Sequence, residues 1–237
     1  MLGIKRQTFQ VSACGKHPAF NDYFSVNMKG PLVQALASWV ENGMSLSGRP
    51  DQTRVPRSFQ FWVRGIKKGE LLLGVLRESS DRMGRIYPLM IMGSLGMENR
   101  DRQWQTIFDG FESVFRAFEG MTAKAWDRFR DFEERLSGLA GKVPVFETSG
   151  QESPLSRSMK AWFFREKDKE MLALPVAILK ENFADPLKER EGRGFFNPKP
   201  EVPGAVFLGG LPQDPGITIF SRALRTNDFL TLFGDNR

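Results

Sequence analysis

The chain has 237 residues, with 34 Lys and Arg against 28 Asp and Glu, one Cys and one His. That length buries roughly 70–75% of the unfolded surface and supports a core without disulfide or metal, while the single Cys and His exclude an internal disulfide, a Cys-rich zinc site and a His-His-carboxylate metal site. A net charge of +6 points to nucleic acid only where it clusters; the densest stretch, Arg49 to Lys68 with Arg54, Arg57, Arg64 and Lys67 against Asp51, is spread over a loop, a strand and a turn, so a solvated basic face is expected and no nucleic-acid partner.

MLGIKRQTFQVSAC has no apolar run of signal-peptide length after its charges. No segment reaches the ~20 apolar residues a membrane helix needs. A cytoplasmic protein with no membrane insertion is expected, and the free Cys agrees with that compartment. Thr8–Ala13 reads as a short strand feeding a structured loop, rich in Gly, Pro, Asn and aromatics, up to residue 30. Pro31 opens a helix, as Pro does at a first helical position. Leu32, Leu36, Trp39 and Val40 line one face of it, and Gly43 and Gly48 are expected to end it.

Three strands follow. Ser58–Gly65 alternates, with Phe59, Phe61 and Val63 on one side and Gln60, Trp62 and Arg64 on the other, as a half-buried strand does. Lys67-Lys68-Gly69 turns into Glu70–Arg77. That segment and Leu89–Leu95 are apolar on both faces, which suits central strands with both faces covered. Short connections favour antiparallel neighbours.

Trp104, Ile107, Phe108, Phe111, Phe115 and Phe118 recur at helical steps. Asn99 or Asp101 caps that helix and Gly120 ends it. Thr122 is expected to cap a second helix carrying Trp126, Phe129, Phe132, Leu136 and Leu139, the pair forming an αα-hairpin jointed at Gly120-Met121. Val143–Arg157 reads as a polar loop and Ser158–Arg165 as a strand through Ala161, Trp162 and Phe163. Lys169–Asn182 reads as a helix broken or started near Pro175. Asn182–Pro203, with four prolines, reads as a long surface loop. Two short strands, Ala205–Gly209 and Ile217–Ser221, flank a Gly/Pro turn, and Asn227–Phe233 is a terminal helical turn. The whole predicts one α+β domain over residues 1–237, a mostly antiparallel sheet with helices on both faces.

No catalytic constellation stands out. Cys14 and His17, three apart, are the only pair able to give a thiolate nucleophile, and nothing in their surroundings orients the base. Gly15-Lys16 fails the phosphate-loop pattern, which needs Gly where Gln10 stands and Ser or Thr where His17 stands. No Ser sits in a nucleophile elbow, and no metal or cofactor is expected.

Two segments are built differently from the rest. In GKHPAFNDYF, Gly15 and Asn21 can take positive φ and Pro18 stiffens the loop between them. Asp22 can then accept backbone N–H groups or an Arg. In ESSDRMGRIYPL, between two apolar strands, Arg82 and Arg85 flank Gly84, and Asp81 can bridge backbone donors and a guanidinium. Neither segment satisfies its own charges, so the two are expected to meet, with Asp22 or Asp81 paired to Arg82 or Arg85. Tyr23 and Tyr87 should lie close by. Lys16, Asp22, Asp81, Arg82 and Arg85 are the candidate cluster, as a structural knot or as a partner-binding surface.

SSDRMGRIYPL resembles the Ser-Val-Asp-Arg-x-Gly-Arg-x-Phe/Tyr-Pro-Leu signature of the TagF (ImpM) family of type VI secretion-associated proteins. GKHPAFNDYF is similar to that family's Gly-Lys-x-Pro-x-x-Gly-Asp-Phe segment, and Phe59–Val63 to its aromatic strand. AVFLGGLPQD stands where the family has a Ser-x-Trp-Trp-x-x-Gly strand. Asn21 replaces the Gly before the Asp, Ser80 replaces Val, and Val206 and Phe207 stand near the absent Trp pair. The resemblance implies a non-enzymatic regulator of a bacterial type VI secretion system; the phosphatase domain that some members append is not expected in this sequence. It implies post-translational restraint of assembly or firing through a forkhead-associated scaffold component. The alternatives read from the residues are a small-ligand or nucleotide-binding regulatory domain and, further off, a Cys-dependent enzyme.

Overall fold

The computed structural model describes residues 9–47, 55–98, 100–141, 146, 152–166, 168–183 and 202–234. Among these, eight strands form one antiparallel sheet in the order β2-β1-β5-β4-β3-β7-β8-β6. They are β1 (Gln10–Gly15), β2 (Phe24–Val26), β3 (Ser58–Arg64), β4 (Glu70–Arg77), β5 (Leu89–Gly96), β6 (Met171–Pro175), β7 (Ala205–Leu211) and β8 (Asp214–Phe220). The α+β architecture with an antiparallel sheet is the one the sequence predicts.

Alternation along β4 builds two cores. Leu71, Leu73 and Val75 join Trp62, Ile91 and the central helices on one face, while Leu72 and Leu76 join Phe59, Phe61, Met92 and Phe207 on the other. The first face is covered by α4 (Glu112–Ala123), α5 (Phe129–Leu139) and α6 (Pro154–Arg165), the second by α1 (Pro31–Leu46) and α8 (Asp228–Phe233). Burial on both faces explains the unbroken apolar runs of β4 and β5.

Several segments differ from the reading above. α1 passes through Gly43 to Leu46, because Gly43 is where Phe229 packs: a Cβ there would lie 2.2 Å from the Phe229 ring. The Trp104–Phe118 stripe is broken into α2 (Arg100–Gln103), a 3-10 turn at Trp104–Thr106, α3 (Ile107–Gly110) and α4. Its apolar face is nonetheless kept, with Trp104, Ile107, Phe108, Phe111, Phe115 and Phe118 buried, and beyond it Trp126 is buried and Phe129 half-buried. α4 continues past Gly120 to Ala123, so Thr122 caps nothing; its hydroxyl donates back to the Glu119 carbonyl. The joint between the two helices is therefore Lys124–Arg128, and Trp126 sits in it.

Ser158–Arg165 is helical, inside α6, not a strand. Ser153 accepts the Ser156 N–H as N-cap and Pro154 sits in the first turn. Lys169–Asn182 divides at Pro175 into edge strand β6 and helix α7 (Val176–Phe183); Pro is tolerated at a strand end on a sheet edge. β7 and β8 extend further than expected, to a two-residue turn at Pro212-Gln213. Most of the expected 182–203 loop, the Arg54 and Asp51 positions, Thr8 and most of the expected 143–157 loop lie outside the described residues.

Candidate functional site

Asp81 organises the segment between β4 and β5. Ser79 accepts the Tyr87 N–H, Ser80 bridges Ile86, and the Asp81 N–H donates to the Arg85 carbonyl. The chain thus doubles back at once after β4. Gly84, at φ 76°, makes the reversal, a conformation that costs glycine nothing. Inside the fold-back, Asp81 Oδ1 accepts the Met83 and Arg85 N–H groups at 3.0 Å each, and Oδ2 accepts Arg85 Nε at 2.7 Å.

The other segment enters from β1. Lys16 Nζ lies 3.1 Å from Asp81 Oδ2. Arg82 donates its N–H to the Phe20 carbonyl, and Arg85 Nη2 donates to the Asn21 carbonyl at 2.7 Å. Asp22 stands 3.3 Å from Arg85 Nη2 and also accepts the Tyr23 N–H. The two segments meet, and Lys16, Asp22, Asp81 and Arg85 come together. Gly15 permits the approach: at φ 125° it lies so close to Pro88 that a Cβ would be 2.0 Å from the Pro88 carbonyl oxygen. Asn21 does not take positive φ; of the described non-Gly residues only Asn27 does. Arg82 joins through its backbone alone. Its guanidinium is exposed and makes no hydrogen bond or ion pair with the described residues.

The cluster is graded in burial. The Asp81 carboxylate is fully shielded, whereas Arg85 is 53% and Asp22 73% exposed at their side chains. Burial raises the Asp81 pKa, but the Arg85 N–H, Lys16 and the Arg85 guanidinium outweigh it and hold the carboxyl down at about 2. Tyr23 and Tyr87 meet edge to face at 5.2 Å beside the cluster, an arrangement favoured by the ring quadrupoles. Burial pushes the Tyr87 phenol up to about 12, with Cys14 and Glu41 adding to it.

Cys14 and His17 do not form a nucleophile–base pair. Cys14 belongs to the α1 face of the sheet. The His17 ring is held from the other side, by the Thr122 and Lys124 carbonyls, while its Nδ1 accepts the Ala19 N–H. Burial lowers the imidazole pKa, opposed by those carbonyls and helped by the charge of Arg77. Burial likewise pushes the Cys14 thiol up to about 11, with the Tyr23 hydroxyl pulling the other way. A thiol so raised is a poor nucleophile at neutral pH. Ellman's reagent at pH 7.5 should therefore leave Cys14 unmodified in the folded chain and label it fully in denaturant; rapid labelling of the folded chain would contradict this assignment.

Beside the cluster the same two segments wall a cleft of about 730 Å³, closed from the other side by Thr122, Ala123, Lys124, Ala125 and Trp126. Arg77 and Lys124 line it, and neither was singled out in the sequence. For Arg77 the signal is parity. It continues the Leu71, Leu73, Val75 side of β4, so it points toward the face that α4 covers.

A second ion-pair network was also unforeseen. Asp228, at the start of α8, is buried and takes both Arg222 nitrogens at 2.7 and 3.0 Å, with Glu170 reaching Arg222 and Arg225. It ties α8 to the strand ends of β6 and β8. Of the basic stretch before β4, Arg57 and Arg64 donate to the Phe233 and Val202 carbonyls. Those guanidiniums are spent on the fold rather than gathered into a patch. Val206 and Phe207, standing near the Trp positions of the resemblance, are both buried, one in each core. They build no surface.

Among the described residues no helix is long and apolar enough to cross a membrane, and no group of three or more His, Cys, Asp or Glu is placed to hold a metal ion. The family model for the TagF N-terminal domain, type VI secretion system-associated, matches residues 12–141, which contain both loop segments. Among solved structures the chain is similar to PA0076 from Pseudomonas aeruginosa PAO1, with a TM-score of 0.56 and 17% identity over 96% of each chain. At that identity the likeness is one of fold. No curated protein matches the chain.

Proposed function

The chain belongs to the TagF N-terminal domain family of type VI secretion system-associated proteins, and from that membership we propose that it is a non-enzymatic regulator that works by binding another protein. The partner in this reading is a forkhead-associated scaffold component of the secretion system in the cytoplasm. Binding acts post-translationally and restrains assembly or firing. The whole chain, 1–237, acts as one domain.

The observation that carries this reading is the split character of the Asp81 loop. Its base is fixed by a shielded carboxylate, while its tip offers Arg82, whose guanidinium has no partner among the described residues, and Met83 at 75% exposure. A rigid loop that presents an unpaired guanidinium beside an exposed apolar side chain has the ingredients of an interface hot spot. It loses little conformational entropy on docking, because the loop is already ordered. Cys14 and His17, the one thiol–imidazole pair in the sequence, lie on opposite sides of the sheet and do not form a nucleophile and base.

The test uses the tip, not the base. Arg82→Glu with Met83→Ala should leave thermal melting unchanged and weaken binding to the scaffold component by at least about tenfold. Unchanged binding by the double variant in a quantitative pull-down would remove this surface from the reading.

A further inference from the structure

We infer that the cleft behind the Asp81 loop is a binding site for a small organic oxyanion, a phosphate monoester or carboxylate carried on a compact apolar body. The site is separate from the loop tip, and the inference stands apart from the protein partner proposed above.

The cleft is bounded by His17, Pro18 and Ala19 on one side, Arg77 to Ser80 on the second and Thr122 to Trp126 on the third. At about 730 Å³ it falls in the size range of small-molecule sites. Its polar groups are unevenly spent. Glu78 Oε2 already accepts the Arg57 N–H at 2.7 Å. Thr122 donates to Glu119. His17 has both ring nitrogens occupied by backbone groups.

Arg77 is different. It is half-buried at the end of β4, and its guanidinium makes no hydrogen bond or ion pair with any described residue. Lys124 has no acidic partner among them either; its ammonium rests over the Trp126 ring at 4.2 Å. The Ser79 and Ser80 hydroxyls are similarly uncommitted among the described residues. Two cations and two hydroxyl-bearing residues thus line one concavity, together with the Glu78 carboxylate that accepts the Arg57 N–H. A half-buried guanidinium that has given up part of its hydration gains most from an anion. Arg matches the two-oxygen edge of carboxylate and phosphate, and Lys adds a point charge.

The rest of the wall says what the anion is attached to. Pro18, Ala19, Pro56, Ile86 and Ala125 are apolar, so a compact hydrocarbon or aryl body fits beside the head group. One face of Trp126 carries Lys124, and the ring meets Phe132 edge to face at 5.5 Å.

The experiment titrates the full chain with phenyl phosphate, benzoate and phenol while following the Trp126 indole N–H resonance, assigned with Trp126→Phe. A saturating shift with phenyl phosphate, benzoate or both, and none with phenol up to about 20 mM, is the expected result, and the stronger of the two identifies the head group. Arg77→Gln and Lys124→Gln should each weaken the binding by about tenfold or more. Should Arg77→Gln disturb the spectrum as a whole, the solvent-exposed Lys124→Gln carries the test alone. No saturable shift with either anion, an equal shift with phenol, or binding unchanged in Lys124→Gln would overturn the inference. None of these outcomes touches scaffold binding by the loop tip, which Arg82→Glu with Met83→Ala reads separately.

Discussion

Asp81→Ala should lower the melting temperature by roughly 5–15 °C, while Asp22→Ala should move it by less than about 2 °C. Both aspartates bear on Arg85, so the contrast comes from burial. Asp81 is shielded and accepts two backbone N–H groups, a guanidinium and the ammonium of Lys16. Its removal strands Lys16, whose side chain is itself only 13% exposed, and opens the fold-back. Asp22 lies in water, where an ion pair gains little over solvation. The pH dependence gives the sharper check. The folded pKa of Asp81, about 2, lies below its ordinary value of 3.8. The unfolded chain therefore takes up the proton first, and the contribution is complete above about pH 4 and lost as pH falls toward 2. His17 acts earlier on the same side: its folded pKa is lowered, so stability begins to fall as pH drops through the ordinary imidazole value of 6.5. Wild-type melts should show both steps. Asp81→Asn should keep the upper one and make the lower one shallower, the remainder coming from Asp228 and Glu170, whose pKa values are also lowered, against burial in the case of Asp228, by their arginine partners. A wild-type profile level between pH 4 and 2 would contradict the assignment.

The meeting of the two loops was legible because charge has to be balanced. Asp22, Asp81, Arg82 and Arg85 could not all be satisfied within their own segments, and the glycines marked where the chain could turn. Which Asp is the anchor was not legible, since that depends on the depth of each loop, set by β1 pairing β5 through Ala13↔Ile91. The central strands were legible from their unbroken apolar runs. α6 was not, although Ser153-Pro154 is a helix start and Leu155, Met159, Trp162 and Phe163 keep a helical period. The local run Ala161-Trp162-Phe163-Phe164 imitated a buried strand, and only the wider spacing separates the two. β6 and β2 escaped because each is short and sits on an edge, where pairing with one neighbour leaves little pattern. The cleft escaped for a different reason. Arg77 looks like the polar end of a strand until its parity with Val75 is set against the position of α4, and Lys124 looks like a helix-end charge until the joint is known to lie at 124–128.

The largest single loss of stability should follow Phe207→Ala, about 3–5 kcal/mol, seen as a lower denaturation midpoint with an unchanged slope. Phe207 is fully buried at the middle of β7, opposite Phe61 on β3 and Thr218 on β8. Its ring lies 5.7 Å from Phe61, 5.8 Å from Trp39 and 6.0 Å from Phe220. Truncation therefore empties a space shared by two neighbouring strands and α1. The hole is also hard to close. β3 and β7 run antiparallel in register over six residue pairs, from Ser58↔Gly210 to Val63↔Ala205, and Gly209 already brings β7 so near Ser58 that a Cβ would be 2.1 Å from its carbonyl oxygen. A backbone held that closely does not move in to fill a cavity, so the cost belongs at the upper end of the range. The same residue separates core from interface. Phe207 lies in the α1 core on β7, whereas the Arg82–Met83 tip faces solvent in the β4–β5 connection, with β3 between β4 and β7 in the strand order. Below its lowered melting temperature, Phe207→Ala should bind the scaffold component as wild type does. A loss under about 1 kcal/mol would remove the ring from the core, and a binding defect in the still-folded variant would place the partner surface near the β3–β7 pair instead of the Asp81 loop.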